Sequence, residues 1–307
     1  MQEQYHIPVL LDEVIEGLNI QPGGIYVDCT FGGGGHSKVI LAKLSAKGKP
    51  VAFDQDDDAR ENLPGDERVI FIPQNFRHLQ RFLRLHNITA VDGIMADLGV
   101  SSHQFDEAKR GFSIRHDAEM DMRMDQRQAM TAFDVVNTYT EQRLHKLFEE
   151  YGEVTNAKTL AKTIVQVRTT TSLKTIDGFK NALREIVKGN PNKYFAQVFQ
   201  ALRIEVNDEL TALKELLQQI PTLLKPGGRA AIITFHSLED RLVKNFFKRG
   251  SFTESEENPY TNNPEINDLK VITKKPVVPS AEEMKTNPRS RSAKLRVAER
   301  KDSAGTG

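Results

Sequence analysis

The chain has 307 residues, of which 38% are hydrophobic and 27% charged, and its 42 lysines and arginines balance 42 aspartates and glutamates. This length suits one large domain or two, and the composition is that of an ordinary globular protein. No apolar run approaches the roughly 18 residues that a membrane span needs. The N-terminal sequence does not have the basic and apolar regions of a signal peptide, and a single cysteine excludes a disulfide framework and a CxxC zinc site. We therefore expect a cytoplasmic protein that contacts no membrane and holds no metal.

The first hundred residues alternate between short apolar runs and segments with helical spacing. The predicted strands are Ile25–Phe31, Val51–Asp54, Val69–Ile72 and Gly93–Leu98. Helices are predicted at Ser37–Lys47 and Arg77–His86. Strands that alternate with helices indicate βαβ units and a parallel sheet.

A long helical segment interrupts this alternation. From Lys109 to Asn207 the apolar residues recur at helical spacing, most clearly in Ala157–Arg168 and Asp177–Lys188. The later predicted elements are a helix at Asp208–Leu217, a turn at Lys225–Gly228, a strand at Arg229–His236, a helix at Leu238–Lys248 and two candidate strands at Val271–Val278 and Lys294–Ala298. We therefore predict an α/β domain formed by residues 1–108 and 208–307, and a helical insert, residues 109–207, that recognises the substrate.

Four successive glycines, Gly32–Gly35, follow the first predicted strand in the stretch from Asp28 to His36. Glycines let the backbone turn sharply and approach a ligand without a Cβ clash, and the helix that follows offers free N–H groups. The loop is not a P-loop, because no Gly-Lys-Ser/Thr ends it. The alternative interpretation is a glycine-rich turn that binds no ligand.

Two carboxylates end predicted strands. Asp54 ends the second strand, 19 residues after Gly35, where nucleotide-binding α/β folds place an acceptor for ribose hydroxyls. Asp97 ends the fourth strand, and we expect the first and fourth strands to flank the point where strand order reverses and ligands bind. The alternatives are a solvated strand end for Asp54 and a turn or helix cap for Asp97.

Two other residues have both a functional and a structural interpretation. His236 follows the fifth predicted strand and is a candidate base or substrate contact, whereas Ser237 with Asp240 is explained by a helix N-cap. Phe76 follows the third predicted strand, where its ring can pack against an adenine or simply join the core.

The glycine loop and Asp54 are compatible with a nicotinamide dehydrogenase as well as with a methyltransferase. A dehydrogenase normally continues with a second nucleotide-binding half after the fourth strand, where this chain has a helical segment. The Lys-Pro-Gly-Gly turn is typical of Rossmann-like methyltransferases, whose sheet usually ends in an antiparallel strand. Lys294–Ala298 is a candidate for that strand.

Several longer motifs now make a resemblance specific. In chain order they are His6–Val14, Thr30–Ser37, Asp97–Ser102, Arg110–Ser113, Met120–Asp125, Phe199–Arg203 with Val206-Asn207, Phe235–Arg241 and Asn287–Ser292. From about residue 5 to residue 300 the chain resembles the bacterial methyltransferase family that modifies N4 of a cytosine in the decoding region of 16S ribosomal RNA.

This resemblance implies a Rossmann-like class I S-adenosylmethionine-dependent methyltransferase sheet with an inserted all-helical domain. It implies S-adenosylmethionine as the methyl donor and 16S rRNA in the small ribosomal subunit as the partner of a monomer or homodimer. The implied cofactor contacts are Gly34, Gly35, His36, Asp54, Phe76, Asp97 and Gln104. Cytosine N4 is a poor nucleophile, so a hydrogen-bond acceptor that faces it and takes its proton is expected. We predict Asp97 as this catalytic acceptor, with the backbone carbonyls of Leu98 and Gly99 as alternatives and His236 as the second choice. Arg203 and Asn207 are candidates to line the substrate cleft.

Two other functions remain open on sequence grounds. One is an RNA- or ribosome-binding assembly factor that keeps residual cofactor binding without turnover, and the other is a nicotinamide oxidoreductase. The balanced total charge conceals segments of opposite sign. Residues 109–207 hold 16 basic and 12 acidic residues, residues 285–301 hold 7 and 1, and the rest of the chain has a net charge of −10. We expect RNA to contact the two basic segments.

Overall fold

The computed structural model describes residues 8–252 and 267–302. The chain forms two compact units, one made of Met1–Gly99 with Thr211–Gly307 and the other of Val100–Leu210. We call them the sheet unit and the helical unit. The helical unit begins nine residues before the insert expected from the sequence and ends three residues after it. The first two residues of the His6–Val14 motif lie outside the described residues.

The described residues form seven strands and twelve α-helices. The strands are β1 (Ile25–Asp28), β2 (Lys49–Phe53), β3 (Ile70–Ile72), β4 (Val91–Asp97), β5 (Leu224–Thr234), β6 (Leu269–Val271) and β7 (Lys294–Arg300). The helices are α1 (Leu11–Leu18), α2 (Gly35–Lys43), α3 (Leu79–Leu85), α4 (Ser102–Asp106), α5 (Ala132–Thr138), α6 (Glu141–Glu150), α7 (Ala157–Val167), α8 (Ile176–Ala182), α9 (Pro191–Asn207), α10 (Glu209–Leu223), α11 (Ser237–Arg249) and α12 (Ala281–Thr286).

All seven strands belong to one sheet, with the order β3-β2-β1-β4-β5-β7-β6. Strands β1 to β5 are parallel, whereas β7 runs antiparallel between β5 and β6. The predicted α/β sheet is therefore confirmed, and the candidate antiparallel strand Lys294–Ala298 is β7, which lies one strand in from the end of the sheet. Asp28 pairs with Met95 and Asp97 with Ile233, so β1, β4 and β5 end at one edge of the sheet. We call this edge the carboxyl edge.

Two predicted elements differ from the structure near prolines. The Lys225–Gly228 turn interrupts β5 as a bulge, because Leu224 pairs with Val91 and the next pair joins Arg229 to Gly93. The predicted strand Val271–Val278 is wrong in extent, since β6 ends at Val271 and only an isolated bridge from Val277 to Leu295 follows. Pro276 within this segment has no N–H to donate to a ladder, which explains the early end of β6.

Helices cover both faces of the sheet. Along β4, Ile94 and Ala96 pack with α3, α10 and α11, whereas Met95 packs on the opposite face with α1 and α2. This alternation follows from the two-residue period of a strand. Cys29, just after β1, lies in the first of these cores with 2% of its surface exposed.

The helical unit has its own core, to which α6, α7 and α9 contribute most of the buried side chains. Helix α9 begins where the Asn190 side chain accepts from the N–H of Lys193, and Pro191 occupies its first turn. The predicted helix Ala157–Arg168 matches α7, and Asp177–Lys188 becomes α8 followed by a 3-10 turn at Arg184–Ile186. Within residues 8–252 and 267–302, every helix is too short or too polar to cross a membrane.

Candidate active site

The candidate site lies at the carboxyl edge of the sheet unit, where β1 and β4 are neighbours. The chain goes from β1 to β2 and β3 on one side and from β4 to β5 on the other, so this is the point where strand order reverses. The prediction that the first and fourth strands flank this point is confirmed. A hydrogen bond of 2.7 Å from the N–H of Asp97 to the Thr30 hydroxyl joins the two strand ends. Ligands of open α/β sheets bind in such a crevice.

The glycine loop turns tightly between β1 and α2. Gly32 and Gly34 have φ angles of +49° and +73°, a region that favours glycine, and the N–H of Gly34 donates to the carbonyl of Phe31 over 2.7 Å. A Cβ on Gly34 would lie 2.8 Å from the Phe31 ring, whereas one on Gly33 would meet no atom within 4 Å. The loop therefore presents bare backbone to open space at Gly33.

Gly35 and His36 open helix α2 and contact the segment before α1. A Cβ on Gly35 would lie 2.2 Å from Pro8, so only glycine fits there. The His36 ring is buried, and its Nε2 is 2.9 Å from the carbonyl of Val9. The ring therefore anchors the N-terminal segment, and the backbone N–H of His36 belongs to the first turn of α2.

Asp28 is a buried carboxylate that the sequence analysis did not assign. It is 3% exposed, and its two oxygens accept hydrogen bonds from the N–H of Thr30 at 3.0 Å and the hydroxyl of Ser37 at 2.6 Å. Burial raises the pKa of Asp28, although the hydrogen bond from Ser37 counteracts it. Its place at the end of an apolar strand, four residues before Gly32, is the sequence signal that indicates it.

Asp54 holds the other side of the glycine loop. Its Oδ2 accepts from the N–H of Gly32 at 2.7 Å, and its Oδ1 accepts from the N–H of Asp56 at 2.9 Å. Burial raises the pKa of Asp54 to about 7, with the two backbone hydrogen bonds opposing the shift and the charges of Asp56 and Asp28 adding to it. A carboxylate has about four acceptor positions, so each oxygen retains capacity for one more donor.

Asp97, the predicted catalytic acceptor, ends β4 in a buried and negatively charged environment. Burial raises its pKa to about 8, and the negative charges of Asp28 and Glu239 add to this shift. Its Oδ1 is buried and accepts no hydrogen bond from the described residues. Gly99, two residues later, has a φ of +95°, and a Cβ there would meet only the Phe235 ring, at 3.7 Å. A buried acceptor without a donor indicates a place for a ligand's N–H or O–H group.

His236 and Glu239 form a buried pair after β5. The N-cap of α11 is His236 rather than Ser237, because the His236 Nδ1 accepts from the N–H of Glu239 at 3.4 Å. Its Nε2 lies 3.2 Å from a Glu239 oxygen without forming a hydrogen bond. The other Glu239 oxygen accepts from the N–H of Phe235 at 2.9 Å. Asp240 does not cap the helix, as it pairs with Arg296 at 2.7 Å.

Phe76 lies beside the Asp54 segment. It begins a 3-10 turn in which the Asn75 side chain accepts from the N–H of Arg77 and donates to the Gln55 side chain over 2.8 Å. The Phe76 ring is half-buried against the sheet core, so it retains an exposed part. This turn is therefore tied to the residue that follows Asp54.

Three sequence candidates lie in the helical unit and serve its own structure. Gln104 is buried and forms a capping box with Ser101 at the start of α4. Arg203 pairs with Glu209 at 2.7 Å, and the buried Asn207 bonds to the backbone of the Met120–Asp125 segment. These contacts explain Arg203 and Asn207 without a substrate, and the cofactor contact of Gln104 stays a prediction.

The sheet unit thus gathers carboxylates along its carboxyl edge. Asp28 raises the pKa of both Asp54 and Asp97, and Glu239 raises that of Asp97. Such a row favours a ligand that brings positive charge and hydrogen-bond donors, because both relieve the cost of buried negative charge.

Comparison with known proteins shows the family to which the chain is related. A model of the MraW methylase family matches residues 3–301. A protein of Flavobacterium johnsoniae named ribosomal RNA small subunit methyltransferase H is 54% identical over 298 residues, which cover 97% of this chain and 98% of that protein. A protein of the same name from Azobacteroides pseudotrichonymphae is 53% identical over 297 residues, 96% of this chain and 97% of that one. A crystal structure of an rRNA methylase from Streptococcus thermophilus has 14% identity and a TM-score of 0.40, covers 95% and 94% of the two chains, and is too distant to carry an argument.

Proposed function

The chain belongs to the MraW methylase family, and we propose that it transfers a methyl group from S-adenosylmethionine to N4 of a cytosine in the decoding region of 16S rRNA. Relatives of 50% identity and more, named as methyltransferases of small-subunit ribosomal RNA, support the reaction class and the substrate RNA. The observation that carries the proposal is Asp97 Oδ1, a buried acceptor at the strand-order reversal to which no group of residues 8–252 and 267–302 donates a hydrogen bond. The proposal places the chain in the cytoplasm, where small ribosomal subunits are its partner.

The residues of the carboxyl edge fit S-adenosylmethionine. Asp54 has acceptor positions left for ribose hydroxyls, and the half-buried Phe76 lies on a turn tied to Gln55, so its ring can cover an adenine. Gly34 and Gly35, with the backbone N–H of His36, form the turn that the ligand approaches. When bound, S-adenosylmethionine supplies a methyl group on a positively charged sulfur that is already a good leaving group. The remaining task of the protein is alignment of an in-line attack.

Asp97 is the proposed proton acceptor for the cytosine amine. A hydrogen bond from N4–H to Asp97 Oδ1 localises the nitrogen lone pair, and the same oxygen takes the proton after transfer. With its pKa raised to about 8, Asp97 ionises more readily once positive charge is bound beside it.

His236 remains the second proposed acceptor. In its neutral form, acceptance at Nδ1 from the N–H of Glu239 leaves the ring proton on Nε2. The ring must therefore exchange its tautomer or leave its capping position before it accepts a proton. We propose that His236 mainly orients the end of β5, with Asp97 as the base.

Methylation of the natural substrate is the direct test. Small ribosomal subunits from cells that lack this enzyme are incubated with the protein and S-adenosylmethionine, and their nucleosides are analysed by mass spectrometry. We expect N4-methylated cytosine with the wild-type chain and none with Asp97→Asn. Tight binding to the subunits without any methylated nucleoside favours the assembly factor instead. A rise in melting temperature with NAD but not with S-adenosylhomocysteine favours the oxidoreductase.

A further inference from the structure

The basic segment near the C-terminus lies at the carboxyl edge of the sheet unit. Strand β7 is antiparallel to β5, and its first residue, Lys294, pairs with Thr234, the last residue of β5. The 3-10 turn Pro288–Ser292 leads directly into β7, and α12 precedes that turn. These elements therefore lie at the edge where β4 and β5 end, and β5 is the one strand between β7 and the strand that carries Asp97.

Contacts with the N-terminal segment fix this position. The Glu283 carboxylate on α12 accepts from the N–H of Leu10 at 2.8 Å, across 273 residues of sequence. The neighbouring Val9 carbonyl contacts His36 at the start of α2. Leu10 and Val9 thus link helix α12 to His36, which follows the glycine loop. The turn after α12 leads into β7, which pairs with β5. The segment therefore contacts the N-terminal segment through Glu283 and the end of β5 through Lys294.

The exposed charge of this segment is mainly positive. Lys285, Arg289 and Arg291 are exposed, and the two arginines flank Ser290, which is fully buried and bonds to the carbonyl of Asn287 over 2.8 Å. Burial of the serine holds the turn, so both arginine side chains start from a fixed backbone. Across α12 and the turn that follows it, residues 281–292, the acidic residues are Glu282, which is exposed, and Glu283, whose carboxylate accepts from the N–H of Leu10.

We propose that Lys285, Arg289 and Arg291 form a phosphate-binding surface for the RNA strand that carries the target cytosine. The inference rests on the proposed function and adds the surface that holds the RNA phosphates beside the target cytosine. Positive side chains on a fixed turn suit phosphodiester groups, which supply a large part of RNA affinity without reading sequence. An acidic protein segment is the other partner such a surface fits, and the test separates the two.

The test compares two triple variants. One is Lys285→Gln with Arg289→Gln and Arg291→Gln, and the matched control is Lys43→Gln with Lys47→Gln and Lys49→Gln, three exposed lysines at or before the start of β2, at the opposite edge of the sheet. Binding to protein-free 16S rRNA transcript and to unmethylated small subunits is measured at salt concentrations from roughly 50 to 300 mM. The slope of the logarithm of the binding constant against the logarithm of the salt concentration gives the number of phosphate contacts. Calorimetric affinity for S-adenosylhomocysteine checks that the site is intact.

We expect the first variant to bind both RNA and subunits more weakly, with a salt slope reduced by about 2, because three phosphate contacts contribute roughly 0.7 each for a single strand. The control should keep the wild-type slope. An unchanged slope on the transcript, or an equal reduction in the control, overturns the proposal. Weakened binding to subunits with normal binding to the transcript also overturns it and favours a ribosomal protein. The binding measurement does not depend on methyl transfer, so this proposal is tested even if the methylation assay gives no product.

Discussion

Replacing Asp97 by asparagine should abolish methylation and at the same time change how stability depends on pH. Burial raises the pKa of Asp97 from 3.8 to about 8 in the folded chain. The folded chain therefore holds the Asp97 proton more tightly than the unfolded chain does. The stability that this proton contributes is complete below pH 3.8 and is lost as the pH rises to 8. A shift of about four units corresponds to roughly 5 to 6 kcal/mol, at about 1.4 kcal/mol per unit. An asparagine side chain cannot ionise, so the Asp97→Asn variant does not have this loss.

The assay is urea unfolding of both proteins between pH 5 and pH 8, followed by circular dichroism. The free energy of unfolding of Asp97→Asn minus that of the wild type should rise by roughly 3 to 4 kcal/mol over this range. Asp66→Asn is the control, because the hydrogen bonds from Arg68 lower the pKa of Asp66 to about 2, so its charge does not change above pH 5. A difference that stays flat with pH refutes the electrostatic reasoning. Methyl transfer within tenfold of the wild type refutes the catalytic assignment.

Other predictions concern the cofactor, the base and the helical unit. Asp54→Ala removes the proposed ribose acceptor and should weaken S-adenosylhomocysteine binding by roughly 10- to 100-fold, which calorimetry measures; equal affinity rules the role out. Glu239→Gln removes one negative neighbour of Asp97, so the pH profile of methyl transfer should move to lower pH, and an unmoved profile contradicts the coupling. Asn207→Ala removes hydrogen bonds to Met122, Met124 and Arg203 and should cost about 2 to 4 kcal/mol of unfolding free energy while S-adenosylhomocysteine affinity is kept. Loss of that affinity would show that Asn207 acts beyond the helical unit.

The sequence predicts the sheet and the helical segment well because both depend on local periodicity. Strands β1 and β4 are recognisable as buried apolar runs, and Asp97 ends the second of them. The Lys-Pro-Gly-Gly turn is equally visible, but its accommodation inside β5 depends on pairing with β4, which lies more than a hundred residues earlier.

The missed residues share one property, which is burial of charge. Asp28 and Glu239 look like ordinary acidic residues until the fold removes them from water and brings them near Asp97. The contact between Glu283 and Leu10 joins residues that are 273 positions apart, and no local pattern predicts it. The sequence also does not predict that His236 caps α11, because Ser237 has the better N-cap propensity and only the folded structure shows which residue accepts the hydrogen bond.

The buried Cys29 has a practical consequence for measuring motion in this protein. Burial raises the pKa of its thiol well above the usual value, and the thiolate is the form that reacts with maleimides. The chain therefore behaves as a cysteine-free background for labelling, without any substitution in its core. Lys47→Cys in the sheet unit and Lys158→Cys in the helical unit are exposed positions for a pair of fluorophores. Energy transfer between the two labels would report whether the distance between them changes when S-adenosylhomocysteine or RNA is added.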